Sequence, residues 1–247
     1  MIGQNENRSR QKGEKDMIGY YDYTVILTYF SLLSAVTGIV VSLSGGGHPY
    51  YGCFFLLFCG FCDAFDGKVA RTKQGRTRQE MNFGIQIDSL SDLVAFGVLP
   101  ACIGTALIRV SPFLTRILEG APVPWKLASE RILLHAVLVL YVLAAMIRLA
   151  YYNVTEEERQ ETEGGVRKTY LGLPVTASAL IFPLVLMLQY ITKADITVAY
   201  LATALLVGVL FITPFQIRKP GMRGVMTLVA VGAVEFLLML LWKLLIK

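Results

Sequence analysis

The chain has 247 residues, of which 55% are hydrophobic and 17% charged, with a formal net charge of +5 and a mean hydropathy of +0.56. Soluble domains carry about 25% charged and about 45–50% apolar residues, so this composition argues against a soluble globular protein, a disordered chain or a disulfide scaffold. It fits an all-α, polytopic membrane helix bundle.

The first 22 residues are polar, mixing Arg8, Arg10, Lys12 and Lys15 with Glu6, Glu14 and Asp16, and no small-residue cleavage pattern follows the first apolar run. They read as a cytosolic tail before a retained span rather than a signal peptide. A bilayer core of about 30 Å needs about 20 apolar residues per helix. Seven such runs follow, at 24–43, 50–69, 85–108, 132–152, 171–191, 196–215 and 225–246. The connection 44–49 is a tight uncharged turn with three consecutive glycines, whereas 155–168 is acidic and then basic. Pro174, Pro183 and Pro214 are expected to kink or end helices. No internal repeat of the transporter kind is present.

With the amino terminus in the cytosol, 16 of the 23 Lys and Arg fall in cytosolic segments, including Lys68, Arg71, Lys73, Arg76 and Arg78 between spans two and three. This asymmetry obeys the positive-inside rule. The basic excess therefore sits beside an anionic leaflet and needs no nucleic acid to explain it. Cys53, Cys59, Cys62 and Cys102 all lie in apolar runs, and the Cys59-x-x-Cys62 pair reads as small residues packed in a membrane helix rather than a redox motif. Glu235 lies near the middle of span seven and must be protonated, paired or turned inward. His48 and His135 are placed far from the acidic residues described next, which sets a catalytic histidine aside.

The cytosolic end of span two reads Asp63-x-x-Asp66-Gly67-x-x-Ala70-Arg71, and after twelve residues span three opens with Gly84-x-x-x-Asp88-x-x-x-Asp92. On helices, these spacings align two carboxylates with Gly67 and Ala70 on one face, and Gly84 with two further carboxylates on another. Two helices joined by a short loop are neighbours, so four carboxylates converge. Each ionised side chain in hydrocarbon costs about 2.5–3.5 kcal/mol on insertion scales, so a compensating positive partner is required. Four oxygen donors without nearby His suit a hard divalent cation, Mg²⁺, Mn²⁺ or Ca²⁺, better than Zn²⁺. Neutralisation by Lys68, Arg71 and Lys73 would explain the charges alone, but not the small residues beside them. Gly67, Ala70 and Gly84 leave room for a ligand to lie against the backbone.

This double motif resembles the signature of the CDP-alcohol phosphatidyltransferase family, over about residues 24 to 213. The stretch from Asp88 to Ala101, Arg148-Leu149-Ala150 with Asn153, and Gly172-Leu173-Pro174 are similar to the serine-using members of that family. The resemblance implies a six-span core over 24–215, a tail over 1–23 and an additional span within 216–247. It implies that Asp63, Asp66, Asp88 and Asp92 hold divalent metal, and that Asp92 is the general base. It places Gly67, Ala70, Arg71 and Gly84 around the bound nucleotide, with Ser31-x-x-Ser34 and Gly38 as the nearest match to the family's first-span motif. The implied reaction is phosphatidyl transfer from CDP-diacylglycerol to L-serine at the cytosolic face, by a homodimer embedded in membrane lipid. The serine carboxylate calls for a cation, for which Arg148, Arg167 and Lys168 are the candidates. Inositol phosphate, glycerol phosphate or choline as acceptor is the nearest alternative, and a cation channel or transporter is the alternative of a different class. The loop 72–83 is longer than the family's.

Overall fold

The computed structural model describes residues 19–44, 48–119, 124–162 and 169–245. In chain order these form α1 (Ile26–Leu43), α2 (Pro49–Ala70), α3 (Arg78–Asp92), a π-helical turn (Leu93–Val98), α4 (Leu99–Val110), α5 (Pro112–Glu119) and α6 (Pro124–Thr162). They continue through β1 (Thr169–Leu171), a 3₁₀ turn (Val175–Ala177), α7 (Ser178–Thr192), α8 (Thr197–Ile212), β2 (Gln216–Arg218) and α9 (Met222–Leu245). The stretches Ile26–Leu43, Arg78–Val110, Ile132–Arg159 and Met222–Trp242 are long and apolar enough to cross a membrane, and Val175–Gln189 and Thr197–Ile212 are shorter apolar helices. The chain is thus a polytopic membrane helix bundle. Leu33, Val40, Leu140, Ile191 and Leu244 are exposed on its outside, as a lipid-facing surface requires.

Three boundaries differ from the hydropathy reading. Helix α3 starts at Arg78 rather than at residue 85, because Thr77 and Glu80 form a capping box. The Glu80 amide donates to Thr77 Oγ1 at 3.2 Å, and the Thr77 amide donates to Glu80 Oε2 at 2.7 Å. The second half of the supposed loop 72–83 is therefore helical. The run 171–191 becomes a helix only at Ser178. Before it, Thr169–Leu171 pairs antiparallel with Gln216–Arg218, and Gly172 (φ +74°) turns the chain, its amide donating to Phe215 O at 2.7 Å. A Cβ at Gly172 would stand 2.9 Å from Phe211 O, so glycine is required by both conformation and space. Finally, α6 has 39 residues and extends beyond both ends of the run 132–152.

Lipid is as apolar as leucine, so close packing and internal hydrogen bonds, rather than escape from water, hold such helices together. Small residues set the approach of α1 to α2: a Cβ on Gly38 would lie 2.8 Å from Phe55 Cβ, and one on Gly52 would overlap Ser42 Oγ. Cys53, Cys59 and Cys62 are buried, and Cys59 Sγ donates to Ser31 O at 3.3 Å, as expected for packing residues. The turn between α3 and α4 has a specific cause. Pro100 lacks an amide proton and cannot bond the Phe96 carbonyl four residues earlier. The helix widens there, Leu99 N–H reaching back to Val94 O, and the buried hydroxyl of Tyr141 on α6 donates to Phe96 O instead. Tyr200 on α8 likewise donates to Pro100 O at 2.8 Å. These two tyrosines pack with Phe182 and Phe211 in the bundle core and fix the continuation of the helix that carries Asp88 and Asp92.

Candidate active site

The helical spacing of the double motif places its carboxylates as expected. Asp63 and Asp66 from α2 and Asp88 and Asp92 from α3 all line one cavity of about 1210 Å³. Ser91 Oγ donates to Thr28 O at 3.2 Å and ties α3 to α1, while Asn153 Nδ2 donates to Ser89 Oγ at 2.7 Å and ties it to α6. These bonds fix the rotation of α3 that turns Asp88 and Asp92 inward. Asp66 accepts the amide of Gly67 and lies within hydrogen-bond reach of Asp88. Asp63 and Asp92 are close enough to feel the charge of Asp88. Asp92 is 9% exposed and is the most enclosed of this face of α3 together with Ser91.

Two carboxyls within hydrogen-bond reach must share a proton or a cation. The donor set is entirely oxygen and faces Lys68, Arg71, Arg148 and Lys219 across the same cavity. Among the described residues, no three His, Cys, Asp or Glu side chains already stand at ligand spacing. The cavity thus presents four hard donors without a preformed coordination sphere, a chemistry that fits Mg²⁺, Mn²⁺ or Ca²⁺ and not a thiolate or imidazole metal.

Arg148 reaches the cavity from α6, is 7% exposed, donates from Nε to Leu173 O at 3.3 Å, and lies 5.2 Å from the Tyr152 ring centroid. Gly67 and Arg71 also line the cavity. The other sequence candidates lie elsewhere. Ser34 Oγ donates to Phe55 O at 3.0 Å, and Ser31 Oγ is buried with no hydrogen-bond partner among the described residues, both in the seam between α1 and α2. Ala70 and Gly84 meet Arg76, which donates from Nη1 to Ala70 O at 3.3 Å. Its Nη2 stands 2.9 Å from where a Cβ of Gly84 would be. Arg167 and Lys168 lie outside the described residues. Glu235 is buried on α9 but does not line the cavity, and its Oε2 has no hydrogen-bond partner among the described residues.

Sequence reasoning missed Tyr152, Tyr170 and Lys219 as cavity residues. Lys219 Nζ lies 5.4 Å from the Tyr170 ring, a pairing created where β1 meets β2. Strands of three residues carry no readable alternation, so only the tertiary structure brings these two together. The sequence places Arg76 with the basic excess beside the anionic leaflet, whereas in the structure it follows the turn at Gly75 (φ +70°) and stands against Gly84.

The model of the family described as CDP-alcohol phosphatidyltransferase matches residues 24–215. The chain is 33% identical over 164 residues to the CDP-diacylglycerol–serine O-phosphatidyltransferase of Saccharomyces cerevisiae, covering 65% of this chain and 51% of that protein. It is 29% identical over 176 residues to the enzyme of the same name from Helicobacter pylori, covering 70% and 62%. It is 32% identical over 153 residues to the archaetidylserine synthase of Methanothermobacter thermautotrophicus, covering 61% and 52%. The chain thus spans about half to three-fifths of the length of these curated relatives. No solved structure matches it significantly. The matched segment contains both carboxylate pairs and the helices that aim them into one cavity, and the chain belongs to the CDP-alcohol phosphatidyltransferase family.

Proposed function

We propose that the chain transfers the phosphatidyl group of CDP-diacylglycerol to the hydroxyl of L-serine, giving phosphatidylserine and CMP at the cytoplasmic face of the membrane. The observation that carries this reading is one cavity with four aspartates at one end, Arg148 beside them, and a long apolar extension. The names of the yeast, Helicobacter and archaeal relatives, which share serine as acceptor, support the choice of alcohol.

In this reading Asp63, Asp66, Asp88 and Asp92 would hold a divalent metal, which would supply positive charge to offset that of the pyrophosphate and of the departing CMP. Asp92, the buried member, accepts the proton of the serine hydroxyl as the new oxygen–phosphorus bond forms and the bond to CMP breaks, a contribution of about 10²–10⁴-fold. Arg148 orients serine through its carboxylate, its planar fork already held by Leu173 O and Tyr152. Lys68, Arg71 and Lys219 surround the phosphate-bearing part of the donor.

The direct test is CMP release from CDP-diacylglycerol by the purified 247-residue chain, with serine, inositol phosphate, glycerol phosphate and choline each offered alone. Serine alone is expected to support turnover, and Arg148→Lys is expected to raise the KM for serine more than tenfold with a smaller change in kcat. Turnover with inositol phosphate and none with serine overturns the acceptor.

A further inference from the structure

We infer that α9, which lies outside the segment matched by the family model, forms the wall against which one acyl chain of the nucleotide-linked donor lies, so that this helix sets acyl-chain length. The inference rests on the proposed reaction and deepens it.

The cavity is larger than the roughly 300–1,000 Å³ of small-molecule sites, at about 1210 Å³. It is polar only where the aspartates and basic residues stand. From there it continues between α2, α7 and α9, and on α9 it is walled by Val225, Val229, Gly232, Ala233 and Phe236. Their spacing of three and four residues is one helical face, and the lining from Met222 to Phe236 extends about 21 Å at 1.5 Å per residue. That is the reach of a long fatty acyl chain, not of a nucleotide or an amino acid.

Both ends of the trough are defined. At the polar end Lys68 Nζ lies 3.2 Å from Met222 Sδ, which places the start of α9 beside the basic rim. At the far end Phe236 meets Phe54 of α2 edge to face, with ring centroids 5.2 Å apart. Gly232 sits close to Leu180 of α7, where an added Cβ would be 3.2 Å from Leu180 Cδ2, so α9 is held near the bundle. Ala233 is exposed into the trough and Phe236 stands a turn beyond it. An apolar channel continuous with a phosphate-binding end matches a molecule that is itself charged at one end and aliphatic at the other.

The test uses the 247-residue chain in nanodiscs of two compositions, dimyristoyl or dioleoyl phosphatidylcholine, each with dihexanoyl, didecanoyl and dioleoyl forms of CDP-diacylglycerol. Ala233→Phe is expected to lower kcat/KM for the dioleoyl donor at least tenfold relative to the dihexanoyl donor, about the loss of two buried methylene contacts. Phe236→Ala is expected to shift preference the other way. Should Ala233→Phe not yield monodisperse protein, Ala233→Leu and Phe236→Ala carry the same comparison. Equal factors for all three donors in both variants overturn the inference. So does a chain-length preference that follows the nanodisc lipid rather than the donor, which would assign the trough to bulk lipid. If the unmodified chain releases no CMP from any donor with serine, the reaction itself fails, a result distinct from either of these.

Discussion

Where α1 and α4 end together, Arg109 donates to the carbonyls of Leu43 at 2.8 Å, Ser42 at 3.0 Å and Ser44 at 3.3 Å. On the same side of the bundle, Asp195 accepts from Ser111 Oγ, Phe113 N and Thr197 N, closing the starts of α5 and α8. At the opposite end of α2, four aspartates face one another across a cavity, and two of them are within hydrogen-bond reach. In the first region each charge completes the unpaired groups of a helix terminus. In the second, no helix end needs the carboxylates, and their proximity raises the energy of the fold. Charges of the first kind are explained by the chain alone, whereas those of the second call for a shared proton or a cation, of which the proposed reaction takes the cation.

The largest effect is expected from breaking the second region. Asp88→Asn should reduce CMP release at least 100-fold and abolish its response to added divalent cation, while the thermal midpoint stays or rises because like charges are relieved. Chelation with EDTA should silence the unmodified chain, with activity restored by Mg²⁺ or Mn²⁺. A variant as active as the parent would remove Asp88 from the chemistry, and activity indifferent to EDTA would remove the metal from the proposed reaction.

Arg109→Ala sharpens the comparison from the other side. Three backbone carbonyls lose a charged donor on a partly exposed helix end, so a loss of about 1 kcal/mol is expected, read as a midpoint lowered by about 2–4 °C. Activity per folded molecule should be unchanged. Loss of activity without loss of stability would contradict the division between the two regions.

The part of this division that was legible in the sequence is local. Asp63, Asp66, Asp88 and Asp92 could be placed because spacings of three and four residues determine a helical face, and scarce charge in apolar runs marks them. The start of α3 was also written locally, in Thr77-x-x-Glu80, but a hydropathy reading follows apolar runs and passes over a polar first turn. The widened turn before Pro100 needs Tyr141 from another helix, and the meeting of Tyr170 with Lys219 needs two strands far apart in the chain. Such partners are set by packing, which no local pattern encodes. Ser31 and Ser34 show the converse, since only the family resemblance implied them, as the nearest match to its first-span motif, and they stand in the seam against α2 and outside the cavity lining.

The smallest effect is expected where the loop after α2 is tied to the segment before α1. Lys73 Nζ lies 2.6 Å from Asp22 Oδ2 and 3.0 Å from Glu80 Oε1, and Tyr20 packs edge to face on Phe83. Partial burial raises the Asp22 carboxyl pKa, but hydrogen bonds from Lys73 and Thr24 outweigh it and hold the value at about 2, below the ordinary 3.8. A carboxyl depressed in the folded state stabilises above its unfolded value and loses that contribution as pH falls through its folded one. The Asp22 tie should therefore be complete above pH 3.8 and disappear between 3.8 and about 2. Both partners are about a quarter exposed, with side chains at 27% and 25%, so the tie contributes little to global stability. The measurement that detects it is the carboxyl-carbon resonance of Asp22, assigned by its loss in Asp22→Asn. A midpoint near 2 confirms that Lys73 bridges the two segments in the membrane-embedded protein. A midpoint at 3.8 would mean that Asp22 does not hold the loop, leaving Lys73 to Glu80 and Arg76 to the Ala70 carbonyl as its ties.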